Sequence, residues 1–179
     1  MKSLDVNGCP QSNLFFRLMW RKLIKELRIY PTGKVLILGL GGGDLIQLFQ
    51  IRYPGWKVTV VELEPGVIKI AGDYFGVKES KYLKIVQGDA KKFIRELSTK
   101  FDLIIVDIYD GDVIPKWVAS YGFIKQVLSK LTTSGRIVFN YASYSFKTVD
   151  YDRFARLLSR VAIPYQQQKY FGHQFFILG

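Results

Sequence analysis

The chain has 179 residues, a length that fits a single domain. Hydrophobic residues make up 49% of it and aromatic residues 15%, which is enough apolar material for a folded core and excludes a disordered chain. The formal net charge of +11 would suit an acidic partner such as nucleic acid or a lipid headgroup.

One cysteine and one histidine restrict the chemistry further. A single thiol cannot form an internal disulfide, and Cys9 with His173 cannot build a zinc cluster. The apolar run at 35–40 is far shorter than the ~20 residues that span a bilayer, and residues 1–13 lack the apolar stretch of a signal peptide. We expect a cytoplasmic protein without membrane contact, and we interpret His173 as a solvated loop residue.

The hydrophobic pattern predicts a basic amphipathic helix and then five strand–helix units. Residues 13–28 place apolar side chains at helical spacing with Arg and Lys between them, and residues 31–33 end that helix. The predicted strands are 34–39, 57–63, 83–88, 101–108 and 135–141, and the predicted helices are 44–51, 65–74, 90–97, 117–131 and 149–161. Residues 164–178 are predicted to form two further strands.

Apolar strands that alternate with helices are typical of a parallel sheet covered on both faces. The sequence therefore predicts an α/β, Rossmann-like fold with seven strands, most of them parallel, and helices on both sides of the sheet. Ligands of such sheets bind at the carboxyl ends of the strands. The residues that follow each strand are therefore the candidates for function.

A glycine-rich turn follows the first predicted strand, with Gly39, Gly41 and Gly43 directly before Asp44. Glycines allow a tight turn and a close approach to a ligand, and the next helix offers free N–H groups at its start. The spacing is G-x-G-x-G instead of the dinucleotide pattern G-x-G-x-x-G, which argues against NAD.

Acidic residues follow the next two predicted strands. Glu62 can accept both hydroxyls of a ribose, or it is a solvated carboxylate at a strand end. Asp89 can accept a hydrogen bond from an exocyclic amine such as that of adenine, or it caps the next helix. The residue types alone leave both pairs of alternatives open.

The fourth predicted strand ends in an acidic loop that contains Asp107, Tyr109, Asp110 and Asp112. Carboxylates packed together raise one another's pKa values and attract a cation, and one of them could act as a general base on an amine. A magnesium site or a solvated polar loop are the alternatives. No phosphate-binding lysine loop accompanies these residues, and we expect no metal.

Together these strand ends resemble the class I S-adenosylmethionine-dependent methyltransferase fold and, within it, the spermidine synthase-like branch. The segments that carry the resemblance are VLILGLGGGD (35–44), VVELEPGVIKIA (60–71), VQGDAKKFI (86–94), FDLIIVDIYDGDVIP (101–115) and LTTSGRIVFN (131–140). The resemblance implies a Rossmann-like domain over residues 34–179 that binds S-adenosylmethionine, preceded by the basic helix in residues 1–33.

The resemblance also assigns roles to individual residues. The donor would be S-adenosylmethionine or its decarboxylated form. Gly39, Gly41 and Gly43 would contact its methionine or aminopropyl part, and Glu62 would bind the ribose. Leu63 would pack on the adenine ring, Asp89 with Ala90 would lie at the adenine amine, and Asp107 would also contact the donor. In aminopropyltransferases the residue that matches Asp107 also helps to bind and deprotonate the attacking amine. Asp110 matches a second acidic position, and Tyr109 would help to hold the amine.

Three departures from the spermidine synthase pattern bear on the reaction. The aspartate of the family's G-G-G-D-G-G motif, which holds the amine of the decarboxylated donor, falls at Gly42 here. The proline of the family's D-S-S-D-P motif falls at Gly111. We also expect the family's N-terminal β-hairpin domain to be missing, with the basic helix in its place.

These features favour methyl transfer from S-adenosylmethionine to a small-molecule amine or another small nucleophile, with aminopropyl transfer as the alternative. The charge suggests a third hypothesis, an RNA or DNA methyltransferase, although the Asn/Asp-Pro-Pro-Tyr motif common among base-amino methylases is absent. A non-catalytic adenosyl-binding protein is the fourth. Trp20 would cover the pocket or contribute to a homodimer interface.

The positions of the charged residues along the chain say more about the ligand than the net charge does. Residues 1–34 hold seven basic and two acidic side chains. Seven acidic residues lie at predicted strand ends, namely Asp44, Glu62, Glu64, Asp89, Asp107, Asp110 and Asp112. The sequence therefore predicts an acidic pocket suited to a sulfonium and an amine, inside a basic shell that could bind nucleic acid through the first helix.

Overall fold

The computed structural model describes residues 3–6, 9–111, 113–141, 151–161, 164–170 and 172–179. The strands are β1 Leu4–Val6, β2 Cys9–Ser12, β3 Thr32–Leu38, β4 Gly55–Glu62, β5 Leu83–Gln87, β6 Phe101–Val106, β7 Leu131–Asn140, β8 Tyr165–Tyr170 and β9 His173–Leu178. The helices are α1 Leu14–Glu26, α2 Asp44–Arg52, α3 Pro65–Phe75, α4 Ala90–Glu96, α5 Tyr121–Leu128 and α6 Tyr151–Arg160.

Seven strands form one sheet in the order β5-β4-β3-β6-β7-β9-β8. The neighbours from β5 to β7 pair in parallel, whereas β9 pairs antiparallel with both β7 and β8. The predicted fold class, a mostly parallel seven-stranded Rossmann-like sheet, is therefore confirmed. Among the described residues, no helix is both long and apolar enough to cross a bilayer.

The central strands are buried on both faces, which is why they are continuously apolar. In β3, Val35 and Ile37 pack into one core cluster with α1 and α2, and Leu36 and Leu38 pack into the other with α4, α5 and α6. All four side chains are at most 1% exposed. The alternation follows from the two-residue period of a strand, and it places helices on both faces of the sheet.

Residues before β3 contain more structure than the expected single helix. The strands β1 and β2 pair antiparallel in a short hairpin that the hydrophobic pattern does not predict. Asn13 caps α1, because its Oδ1 accepts a hydrogen bond from the Phe16 amide at 3.0 Å. Met19, Trp20 and two further apolar side chains of α1 are buried against the sheet, so this helix is part of the domain core.

The helix predicted at 117–131 is shorter in the structure. It begins after Ser120, whose Oγ accepts a hydrogen bond from the Phe123 amide, and it ends at Leu128. The strand that follows starts at Leu131, four residues earlier than predicted. Residues 149 and 150 of the last predicted helix lie outside the described residues.

The strands β3 and β6 lie side by side at the point where the chain reverses its direction across the sheet. Their carboxyl ends therefore flank the crevice where ligands of such sheets bind. The turn after β3 passes so close to β6 that a Cβ at Gly39 would stand 2.0 Å from the carbonyl oxygen of Asp107. Gly39 also has a φ of +100°, which L side chains rarely adopt.

Replacing Gly39 with alanine should destabilise the protein by at least about 2 kcal/mol, because the new methyl group collides with β6 and the backbone is strained. The matched control is Gly66→Ala in α3, where a Cβ meets nothing within 4 Å and the helix gains from the change. Urea unfolding followed by circular dichroism measures both. Equal stability of the two variants would contradict this description of the turn.

Candidate active site

A cavity opens between α1 and the carboxyl edge of the sheet. Its lining combines aromatic and apolar side chains of α1 with polar groups at the ends of β6, β7 and β9. The lining residues are Phe16, Met19, Trp20, Leu40, Gly41, Asp44, Leu45, Asp107, Tyr109, Asn140 and His173. Trp20 is 3% exposed and contributes to this wall. Covering a pocket is one of the two roles that the sequence suggests for it.

Asn140, the last residue of β7, links three of the polar groups in the cavity. Its side-chain Nδ2 donates to Asp107 Oδ1 at 2.8 Å, and its Oδ1 lies 3.0 Å from His173 Nδ1. The hydroxyl of Tyr109 donates to the main-chain carbonyl of Asn140 at 3.0 Å. Since an amide oxygen only accepts, His173 carries its proton on Nδ1 in this arrangement.

Asp107 carries the most perturbed carboxyl group of the cavity. Desolvation raises its pKa to about 6, and the negative charges of Asp44 and Glu62 push the pKa in the same direction. The hydrogen bond from Asn140 acts in the opposite direction and lowers it. At neutral pH the group is thus mostly a carboxylate, yet its pKa is close enough to 7 for it to accept a proton during a reaction.

The interpretation of His173 as a solvated loop residue is wrong. The side chain is 3% exposed, and it begins β9 instead of lying in the turn before it. Its ring packs edge-on against Phe16 at 5.2 Å and parallel to Phe175 at 6.0 Å. Burial lowers the pKa of His173 to about 4, so the ring is neutral at pH 7.

The glycine turn and Glu62 form one hydrogen-bonded unit beside the cavity. Glu62 Oε2 accepts from the Leu40 amide at 2.9 Å, and its Oε1 accepts from the Glu64 amide at 3.0 Å. Gly41 and Gly43 have φ values of 51° and 83°. A Cβ at Gly43 would lie 2.5 Å from a methyl group of Val77, so only glycine fits this close approach.

The remaining predicted donor residues lie outside the cavity lining, at the ends of β4 and β5. Leu63 is 59% exposed and offers an apolar surface beside Glu62. Asp89 is exposed and caps α4, since its Oδ1 accepts from the amides of Lys91 and Lys92. Asp89 therefore caps the helix, as one of the two alternatives predicted, and this cap uses one of its two carboxylate oxygens. Ala90 follows as the first residue of α4.

Only part of the acidic loop after β6 lies at the cavity. Asp107 and Tyr109 line it, whereas Asp110 is exposed and is absent from its wall. The main chain of Asp110 instead pairs with Val113 in a tight turn. Asp112 lies outside the described residues. Among the residues that are described, no three His, Cys, Asp or Glu side chains gather as a metal site.

Three polar residues near the cavity were not singled out from the sequence as site residues, namely Arg17, Ser12 and Asn140. Arg17 Nε donates to Asp44 Oδ1 at 2.6 Å, which ties α1 to the start of α2. Ser12 is fully buried beside Gly42. Asn140 could have been found, because it ends a predicted parallel strand at the edge that contains the other candidates.

A family model described as "Spermine/spermidine synthase domain" matches residues 8–171 of the chain. The chain belongs to this family. The match agrees with the expected resemblance, and it extends across α1 and the end of the hairpin as well as the Rossmann-like part.

Curated relatives of the chain are named for different transfers. A "Polyamine aminopropyltransferase" of Vibrio vulnificus is 32% identical over 115 residues, which are 63% of this chain and 38% of that protein. An "eEF1A lysine and N-terminal methyltransferase" of Danio rerio is 33% identical over 116 residues, or 59% of this chain and 17% of that protein. The matched part of the chain thus spans well under half the length of each of these two relatives.

The fold is also that of a solved methyltransferase. The crystal structure of human methyltransferase-like protein 13 in complex with SAH superposes with a TM-score of 0.77 at 19% identity. The match covers 93% of this chain and 82% of the human one. This likeness supports the class I methyltransferase architecture.

Removing the amide of Asn140 should raise the pKa of Asp107 above about 6, because the hydrogen bond that stabilises the carboxylate is lost. The change is Asn140→Leu, and carbon-detected NMR titration of the aspartate carboxyl groups measures it. Gln166→Leu, an exposed amide on β8, is the matched control and should leave Asp107 unchanged. An Asp107 that titrates near pH 4 in the wild type would contradict the assignment.

Proposed function

We propose that the chain is an S-adenosylmethionine-dependent transferase that methylates an amine. The observation that carries this proposal is the Asp107 carboxylate, which lines the cavity next to the glycine turn with a pKa near neutrality. Such a group can bind an ammonium ion as a carboxylate and then accept its proton. The acceptor would be a small-molecule amine.

The chain's residues fit an adenosyl donor. The glycines of the turn from Gly39 to Gly43 allow a ligand to approach the backbone closely, and a carboxylate, Glu62, ends the next strand. The exposed side chain of Leu63 would cover the adenine ring, and Asp89 would accept from its amine through the oxygen that capping leaves unused. Ala90 would lie beside it.

Gly42 favours the methyl donor over its decarboxylated form. At this position the spermidine synthase pattern has the aspartate that holds the amine of the decarboxylated donor. Here a Cβ at Gly42 would come within 2.4 Å of the Ser12 Cβ, so the space for such a side chain is already filled. The chain therefore lacks both this aspartate and the room for it.

The chemistry asked of the protein is positioning and proton removal. When bound, S-adenosylmethionine supplies a methyl group made electrophilic by the sulfonium sulfur. Asp107 would hold the acceptor amine and take its proton, which leaves the nitrogen lone pair free to form the new N–C bond while the bond between the methyl carbon and the donor's sulfur breaks and leaves a thioether. Asn140 fixes the orientation of the carboxylate, and Phe16 with Trp20 restricts water. Fixing two reactants in this way can remove ~7–11 kcal/mol of barrier.

Aminopropyl transfer from the decarboxylated donor is the second candidate. The relative from Vibrio vulnificus favours it, since that protein is named for this reaction. Methylation of nucleic acid is the remaining alternative, motivated by the exposed basic residues Lys22 and Lys25 of α1 and Arg28 shortly after it. Filter binding across a salt series tests the latter, and absence of binding to RNA and DNA at low salt excludes it.

Replacing Asp107 with asparagine should lower methyl transfer by roughly 100- to 10,000-fold, the usual contribution of a general base. The asparagine keeps an oxygen that can accept from Asn140, so the fold should persist. The assay supplies S-adenosylmethionine with an isotope-labelled methyl group and a panel of primary amines that includes putrescine, and mass spectrometry detects the product.

Two further variants make this test specific. Asp152→Asn, on the exposed face of α6, should leave the rate unchanged. Asp110→Asn should change the rate of methyl transfer by less than a few-fold, because Asp110 is exposed and lies outside the wall of the cavity. A wild-type rate in Asp107→Asn would contradict the proposed role of the carboxylate.

A further inference from the structure

A partly buried ion pair joins α1 to the start of α2, directly after the glycine turn. Asp44, the first residue of α2, is 8% exposed, and its Oδ1 accepts from Arg17 Nε at 2.6 Å. The pair engages only Nε, so the two terminal nitrogens of the guanidinium group take no part in it. Asp44 also lines the cavity that contains Asp107.

The second oxygen of this carboxylate is buried without a partner among the described residues. Asp44 Oδ2 accepts no hydrogen bond from them, and the hydroxyl of Ser12, which lies against Gly42, likewise has none. A buried charged oxygen without a donor is costly, and native proteins leave few such groups unsatisfied. A ligand that donates a hydrogen bond beside Asp44 would remove this cost.

The surroundings of Asp44 also attract a negative group. The residue before it, Gly43, provides no side-chain cap, so the first N–H groups of α2 are open to an anion. The side chain of Arg17 is 30% exposed, and its guanidinium group is planar, a shape that matches a carboxylate. The pair of Arg17 and Asp44 therefore places an acceptor for a cation directly beside donors for an anion, and Asp44 brings this arrangement to the wall of the cavity.

A free amino acid group satisfies both demands at once, because it bears an ammonium and a carboxylate on one carbon. We propose that Arg17 binds the carboxylate, and Asp44 the ammonium, of the methionine end of the donor. This inference rests on the proposed function, and it extends it to the choice of donor. Decarboxylated S-adenosylmethionine keeps the ammonium but has no group for Arg17.

Isothermal titration calorimetry with three ligands tests the proposal without any catalytic turnover. The ligands are S-adenosylmethionine, its decarboxylated form, and 5′-methylthioadenosine, which has neither the ammonium nor the carboxylate. The variants are Arg17→Met, Arg17→Lys and Asp44→Asn. The matched control is Arg21→Met, an exposed basic residue one turn further along α1. Circular dichroism establishes that each variant is folded.

Each variant has its own expected pattern. Arg17→Met should weaken S-adenosylmethionine roughly 10- to 100-fold, as expected for a lost charge-assisted hydrogen bond, and leave 5′-methylthioadenosine unchanged. The decarboxylated donor should change far less. Arg17→Lys should fall between the wild type and Arg17→Met, because an ammonium lacks the planar fork. Asp44→Asn should weaken both donors that carry an ammonium.

The failures are distinguishable from one another. If Arg17→Met weakens all three ligands by the same factor, Arg17 only supports the turn and the proposal is wrong, even though an adenosyl site exists. If the wild type binds the decarboxylated donor as tightly as S-adenosylmethionine, the carboxylate is not recognised and the proposal is likewise wrong. If the wild type binds none of the three ligands, the proposed function itself fails.

Discussion

The amide of Asn140 is the contact on which the site depends. It holds Asp107 at the end of β6 and His173 at the start of β9, so the ends of three neighbouring strands are fixed by one side chain. The same amide limits the rise in the Asp107 pKa that desolvation causes. Without this hydrogen bond, the carboxylate would have fewer groups to orient it and a weaker tendency to ionise at neutral pH.

The distribution of charge explains how a strongly basic chain could bind positively charged reactants. Asp44, Asp107 and Glu62 lie around the glycine turn, and their mutual repulsion contributes to the raised pKa of Asp107. A sulfonium and an ammonium would relieve that repulsion. The basic residues of α1 face solvent instead, except for Arg17, which pairs with Asp44.

Much of the fold could be predicted because buried parallel strands are continuously apolar. The rule that ligands bind at their carboxyl ends led to Asp107 and Tyr109, which line the cavity, and to Glu62, which accepts a hydrogen bond from the glycine turn. The same rule missed His173, because β9 runs antiparallel and brings its first residue to that edge. Arg17 was missed because its partner lies 27 residues away, a distance over which helical periodicity carries no information. The hairpin before α1 is too short to show a clear alternation.

The proposed reaction transfers a methyl group to an amine. The most direct test offers the purified protein S-adenosylmethionine and its decarboxylated form at equal concentration, together with the amine panel, and identifies the products by mass spectrometry. We expect amines that carry an added methyl group and S-adenosylhomocysteine as the by-product. Amines extended by an aminopropyl group, with 5′-methylthioadenosine as the by-product, would contradict the account.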